Sequence, residues 1–165
     1  MVESWIGAEG TRAAGTEFQQ GHYRLIVATG GFTGRSWSQE RWKLSLGAEN
    51  VLTAMGIPKE QIIRTADKDL EFHRTYDTAA EVRAELERRG VKPRTVTVFT
   101  MAAHARRSRL VYVKVFGSAT PVGCVAWLPP GYNSGPWWRS TIRTEEFLKE
   151  MVVYLFELLL NSGRI

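Results

Sequence analysis

The run Thr95-Val96-Thr97-Val98-Phe99-Thr100 is short and β-branched, stops in the small residues Ala102-Ala103, and is followed by a polar cluster, His104-Ala105-Arg106-Arg107-Ser108, that opens a helix. Strand, tight turn and helix in that order make up half of a parallel crossover unit. A chain that repeats this unit has few folds open to it. In open α/β sheets ligands collect outside the carboxyl ends of the strands, where loop backbone and helix N-termini are exposed. Thr100, His104 and Arg107 therefore stand at the edge where a site is expected.

The unit recurs along the chain. Residues 2–6 read as a first strand, which begins so near Met1 that it is either the remnant of a longer strand or the start of a trimmed chain. Residues 7–20 follow as a helix with Ala13, Ala14 and Phe18 on its apolar side and Gly21 as its C-cap. Residues 23–29 are nearly continuously apolar, as a parallel strand covered on both faces should be, and they end in Gly30-Gly31. Ser38 can cap a helix over 39–55, with Leu44, Ala48, Val51 and Met55 at helical spacing and Gly56-Ile57-Pro58 as the stop. Residues 61–65 give a third strand, and Thr75 or Asp77 opens a helix to residue 89 with Ala79, Val82 and Leu86 on one face. The helix after the fourth strand runs on through Val111, Val113 and Val115, an alternation that would equally suit a strand. Residues 122–127 supply a fifth strand, Leu128-Pro129-Pro130-Gly131 breaks it, and Thr144 starts a terminal helix to residue 161. Five strands alternating with helices predict an α/β fold, a doubly wound and mainly parallel sheet, in one domain spanning residues 1–165.

Composition narrows the function classes. The chain has 165 residues, 44% apolar and 24% charged, which is the make-up of an ordinary globular domain rather than a disordered one. A lone cysteine, Cys124, excludes an intramolecular disulfide framework and a Cys-rich zinc site, and its apolar surroundings suit a buried strand residue better than a nucleophile. The net charge of +5 favours anionic ligands, but it is spread along the chain, so nucleic acid is not indicated. No apolar run reaches the roughly 18 residues that a membrane span needs, and the N-terminus lacks the pattern of a signal peptide. As given, the chain is expected to be soluble and cytoplasmic. Its longest apolar run, residues 151–160, reads as a buried helix, with dimer or interfacial packing as the alternative.

The strand ends carry a short inventory: Trp5 and Gly7, then Gly30, Gly31 and Arg35, then Arg74, Thr75 and Asp77, then Thr100, His104 and Arg107. A phosphate or carboxylate site needs close-approach backbone, free N–H groups and a cation, and this edge offers all three. Gly-Gly after a strand is also an ordinary turn, and neither a G-x-G-x-x-G fingerprint nor a Walker lysine accompanies it. His104 can serve as a general base or a ligand hydrogen-bond partner, or it can simply pack at a helix start. Arg106, Arg107 and Arg109 cannot all face one site, because neighbouring residues on a helix point about 100° apart. Trp137-Trp138, with Arg139 and Arg143, either anchors the terminal helix or stacks on a ring ligand. No nucleophile elbow, metal-ligand set or specific carboxylate pair can be read, so no metal is expected.

The succession Ala28-Thr29-Gly30-Gly31, then Arg74-Thr75-Tyr76-Asp77-Thr78-Ala79, then Thr100-Met101-Ala102-Ala103-His104-Ala105-Arg106-Arg107-Ser108, then a tryptophan before a terminal helix, resembles the YdcF/SanA/ElyC-like family of bacterial proteins. Thr29, Gly30 and Gly31 match that family's second-strand motif, Thr75 and Ala79 its third-segment motif, and Thr100, His104 and Arg107 its fourth. Asp77 and Thr78 stand where the family carries glutamate and asparagine, and Met101 replaces a common serine. The resemblance implies a Rossmann-like three-layer sandwich and roles in envelope or cell-wall precursor metabolism. S-adenosylmethionine or a nucleotide is the implied cofactor or ligand, and since relatives commonly carry N-terminal membrane segments before the first strand, the given sequence is expected to be either a soluble version or a domain cut from an anchored one. Residue readings and resemblance together predict a pocket for a small anionic or nucleotide-like molecule. Gly30 and Gly31 would approach it through backbone, Thr75 and Thr100 would donate hydroxyls, and Arg107 would pair with its charge. Asp77 would orient Arg107 or a ligand hydroxyl, and His104 would bind or shuttle a proton. Phosphoester hydrolysis is one reading of that pocket; a non-catalytic binding or scaffold protein is the other.

Overall fold

A computed structural model of the chain describes residues 1–32, 42–68, 74–132 and 135–159. In chain order it contains α1 (Gly7–Gln20), β1 (Ile26–Ala28), α2 (Leu44–Ala54), β2 (Ile62–Arg64), α3 (Arg74–Arg88), β3 (Val96–Met101), α4 (Ala105–Phe116), β4 (Val122–Trp127) and α5 (Thr141–Leu159). The fold is α/β. β1 runs parallel to β2 with Ile26 opposite Ile62, and β3 runs parallel to β4 with Val96 opposite Val122.

Between the two pairs lies the start of the chain. The Val2 N–H donates to the Val27 carbonyl at 2.8 Å, and the Thr29 N–H donates to the Val2 carbonyl at 3.1 Å. On the other side the Phe99 N–H donates to the Met1 carbonyl at 2.8 Å, and the Glu3 N–H to the Phe99 carbonyl at 3.1 Å. The expected first strand over 2–6 is thereby corrected to a bridge at Val2, and the described residues form four strands rather than five. Pairing stops because the Ser4 N–H turns to the Thr29 hydroxyl at 3.1 Å and the Ile6 N–H to the Glu3 carbonyl at 3.1 Å, winding Ser4–Ile6 into a 3-10 turn.

Side chains alternate across the strands with the period of two that extended backbone imposes. Ile26, Ala28 and Ile62 pack with Ala14 and Phe18 of α1 and with Ala48 and Leu52 of α2. Val27 and Ile63 point the other way, to Val82 and Leu86 of α3. Val96, Val98 and Val122 pack with Val111, Tyr112 and Val115 of α4. β1 is apolar and buried throughout because helices cover both of its faces, whereas β2 ends in the exposed Arg64 and β4 exposes Gly123 and Ala126.

The ambiguous valines belong to a helix. Ser108, Val111, Tyr112 and Val115 are the buried residues at i, i+3, i+4 and i+7 of α4, while Val113 is only partly buried. β1 is shorter than its apolar run, α3 is described from Arg74, and α5 opens at Thr141. Thr144 sits one turn inside α5, where its hydroxyl donates to the Trp137 carbonyl at 3.0 Å. α2 is described from Leu44. The capping role of Ser38, the helix start at 39–41 and the edge position of Arg35 lie outside the described residues, as does residue 161. Among the described residues no helix is long and apolar enough to cross a membrane.

Candidate functional site

β3 ends at Met101, and the next residue, Ala102, takes φ 38°, a left-handed conformation that a Cβ disfavours by roughly 1–2 kcal/mol. This turn lets the chain leave the strand at once. A single 3-10 turn over Ala102–His104 leads into α4, placing His104 at its threshold and Arg107 one turn further on the same face.

Two other elements bring partners to this pair. The Arg107 guanidinium donates from Nε to Glu150 Oε2 at 2.8 Å and from Nη2 to Glu150 Oε1 at 3.2 Å, a fork meeting a carboxylate with both prongs. Its Nη1 donates to the Thr75 hydroxyl in the first turn of α3. His104 Nδ1 lies 2.7 Å from Glu150 Oε1, and His104 Nε2 faces Arg107 Nη2. Arginine can only donate, so this geometry assigns Nε2 as the acceptor and Nδ1 as the donor to Glu150. His104 and Arg107, both predicted from the sequence, meet here on Glu150 of α5, a residue the sequence reading missed, and Thr75, also predicted, joins them through Arg107.

Thr100 serves a second carboxylate. Glu3 is 2% exposed, and its Oε2 accepts from the Thr100 hydroxyl at 2.5 Å, the Ser108 hydroxyl at 3.1 Å and the Trp5 indole N–H at 3.1 Å. The Trp5 ring lies 4.6 Å from the His104 ring, centroid to centroid, and joins the two networks. Glu3 was also missed, although a single acid within the apolar run Val2 to Ile6 was a visible signal.

The glycine turn is occupied by the chain itself. The Gly30 N–H donates to the Thr65 hydroxyl at 2.6 Å, and the Gly31 N–H to Asp67 Oδ1 at 3.0 Å. Asp67 also accepts from the Ser45 N–H at 3.0 Å and the Ser45 hydroxyl at 2.6 Å, in the first turn of α2. A Cβ on Gly30 would lie 1.9 Å from the Ala66 carbonyl oxygen, so it is the chain's own backbone that approaches so closely. Asp77 is half-buried in the first turn of α3, and its carboxylate makes no hydrogen bond or ion pair among the described residues. Arg107 is oriented by Glu150 instead.

Burial alone would raise the Glu150 carboxyl, but hydrogen bonds and charge from His104 and Arg107 outweigh it and bring the pKa down to about 2. Burial pushes the Cys124 thiol up to about 11, which removes it as a nucleophile. Among the described residues no group of three or more His, Cys, Asp or Glu could hold a metal ion. The tryptophan pair divides its work. Trp137 stacks on Phe147 of α5 at 4.2 Å and anchors that helix, whereas Trp138 is 65% exposed and lines a groove of about 410 Å³ at the start of α5. Comparison with protein-family models, curated proteins and solved structures finds no match to this chain.

Proposed function

We propose that the chain is a YdcF/SanA/ElyC-like protein with a doubly wound, Rossmann-like three-layer sheet. On this reading it binds a small anionic, nucleotide-like molecule at the carboxyl ends of its strands, in the chemistry of envelope or cell-wall precursors. The three-layer reading is supported by the hydrogen bonds that Met1–Glu3 makes to both strand pairs and by the helices packed against alternate strand residues. The functional reading rests on one observation. An imidazole and a guanidinium converge on a single carboxylate at the end of β3, and the guanidinium's remaining prong donates to the Thr75 hydroxyl. Such a cradle suits any small oxyanion, and Glu150 is the anion the chain places in it.

A ligand phosphate or carboxylate would take Glu150's place on Arg107. Drawing Nη2 away would free His104 Nε2, already fixed as an acceptor, to take a proton from a ligand hydroxyl or water. Hydrolysis of a phosphoester would then rest on positioning and charge stabilisation. The non-catalytic reading, a sensor or scaffold using the same cradle, is favoured by the internal pairing of His104 and Arg107 with Glu150 and of Thr75 with Arg107.

Thermal unfolding in the presence of pyrophosphate, nucleotides, S-adenosylmethionine and lipid-linked sugar phosphates tests the proposal. The expected result is stabilisation by at least one of them, lost in both His104→Ala and Arg107→Ala with the fold retained by circular dichroism. Stabilisation indifferent to both substitutions overturns the site. Turnover of a phosphoester panel, abolished by His104→Ala, would separate the enzyme from the sensor.

A further inference from the structure

α5 turns two carboxylates inward among half-buried apolar residues and leaves a second apolar face outward. Glu150 and Glu157, two turns apart, are turned inward: Glu150 joins His104 and Arg107, and Glu157 pairs with Lys114 at 3.7 Å. Leu148, Met151, Val152, Leu155, Leu158 and Leu159 are turned outward, each between 42% and 77% exposed. Leu148, Met151, Leu155 and Leu158 repeat with the spacing of coiled-coil a and d positions, and Val152 and Leu159 widen the seam to that of a core-facing helix. No charged side chain interrupts these six positions.

The seam runs into the groove at the N-terminal end of α5, which is lined by Trp138, Arg139, Thr141, Thr144, Glu145 and Leu148. One end of the face is thus concave and the other carries the protruding pair Leu158 and Leu159. We propose that this face pairs with its counterpart on a second copy of the chain, the two α5 helices antiparallel about a two-fold axis near Val152. Each copy's Leu158 and Leu159 then enter the other's groove, the self-complementarity that an isologous contact requires.

Area and charge support this occupant. With ordinary side-chain areas the seam and Trp138 expose on the order of 700 Å² per copy, against roughly 800 Å² per partner in a standard-size interface. A membrane surface suits the helix less well, since with Glu150 and Glu157 turned inward the other charges of α5, Glu145 and Glu146 against Arg143 and Lys149, cancel, whereas interfacial helices flank their apolar face with an excess of cations.

Sedimentation of the full chain over a concentration series tests the pairing. The expected species has twice the 18.7 kDa chain mass, and Leu155→Glu converts it to the single mass with circular dichroism unchanged. A wild-type chain that stays at the single mass overturns the proposal, as does one that does so while floating with phosphatidylglycerol vesicles. A dimer that survives both Leu155→Glu and Leu148→Glu also overturns it. Should these variants misfold, single cysteines in a Cys124→Ser background decide the matter. Val152→Cys cross-links across the axis under mild oxidation and Leu159→Cys does not, whereas the reverse pattern, or no cross-link at either position, contradicts the antiparallel pair.

Discussion

Glu150 is the residue on which the site turns, and its titration reports whether the cradle forms. Its folded pKa of about 2 lies below the ordinary 4.5, so the carboxylate's partnership with His104 and Arg107 favours the folded state at all pH values above 4.5. That contribution is lost as pH falls from 4.5 through 2. Carboxyl NMR across this window is expected to show one glutamate with a midpoint near 2 that moves up toward 4.5 in Arg107→Lys, where the two-pronged contact is lost. A Glu150 midpoint already near 4.5 in the wild type would show that the contact is not made in solution. The residues that a sequence can offer to a site are those with conspicuous chemistry, and His104, Arg107 and Thr75 were found in that way. Glu150 stood beside Lys149, just ahead of the apolar run 151–160, and Glu3 in an expected strand, and their importance comes from neighbours distant in sequence that only the fold supplies.

At the scale of elements, alternation and capping residues made most of the helices legible and located β3 and β4 to within a residue. β1 was overestimated at its start, because Tyr23, Arg24 and Leu25 precede the paired residues Ile26–Ala28, while Thr29 at the far end still donates to the Val2 carbonyl. The direction of α5 was misread for a different reason: periodicity reveals that a helix has two faces, and the usual assumption turns the apolar one inward. Here the carboxylates face inward, held by Lys114, Arg107 and His104. The turn from β3 to α4 carries its own prediction. Ala102 holds a positive φ that glycine adopts freely, so Ala102→Gly is expected to raise the unfolding free energy by about 0.5–1 kcal/mol in urea. A loss of stability would mean that the turn is not strained at that residue.

For the whole molecule, the structure joins a strand-edge cradle to a helix whose inner face closes it and whose outer face is apolar. α5 therefore links the two proposals, because it carries both the internal anion and the seam. The glycine turn, expected to be a second wall of the pocket, is filled by Ala66 and Asp67, which confines the predicted ligand to the side of Thr75, His104 and Arg107. If Glu150 holds the place of a ligand anion, removing its charge should help the ligand. Calorimetric titration of pyrophosphate into the wild type and Glu150→Gln is the most direct test: the variant should bind about tenfold more tightly, a gain of roughly 1.4 kcal/mol, and Arg107→Lys should bind more weakly than either. Equal or weaker binding by Glu150→Gln, or no heat from either protein, would contradict an anion cradle at the end of β3.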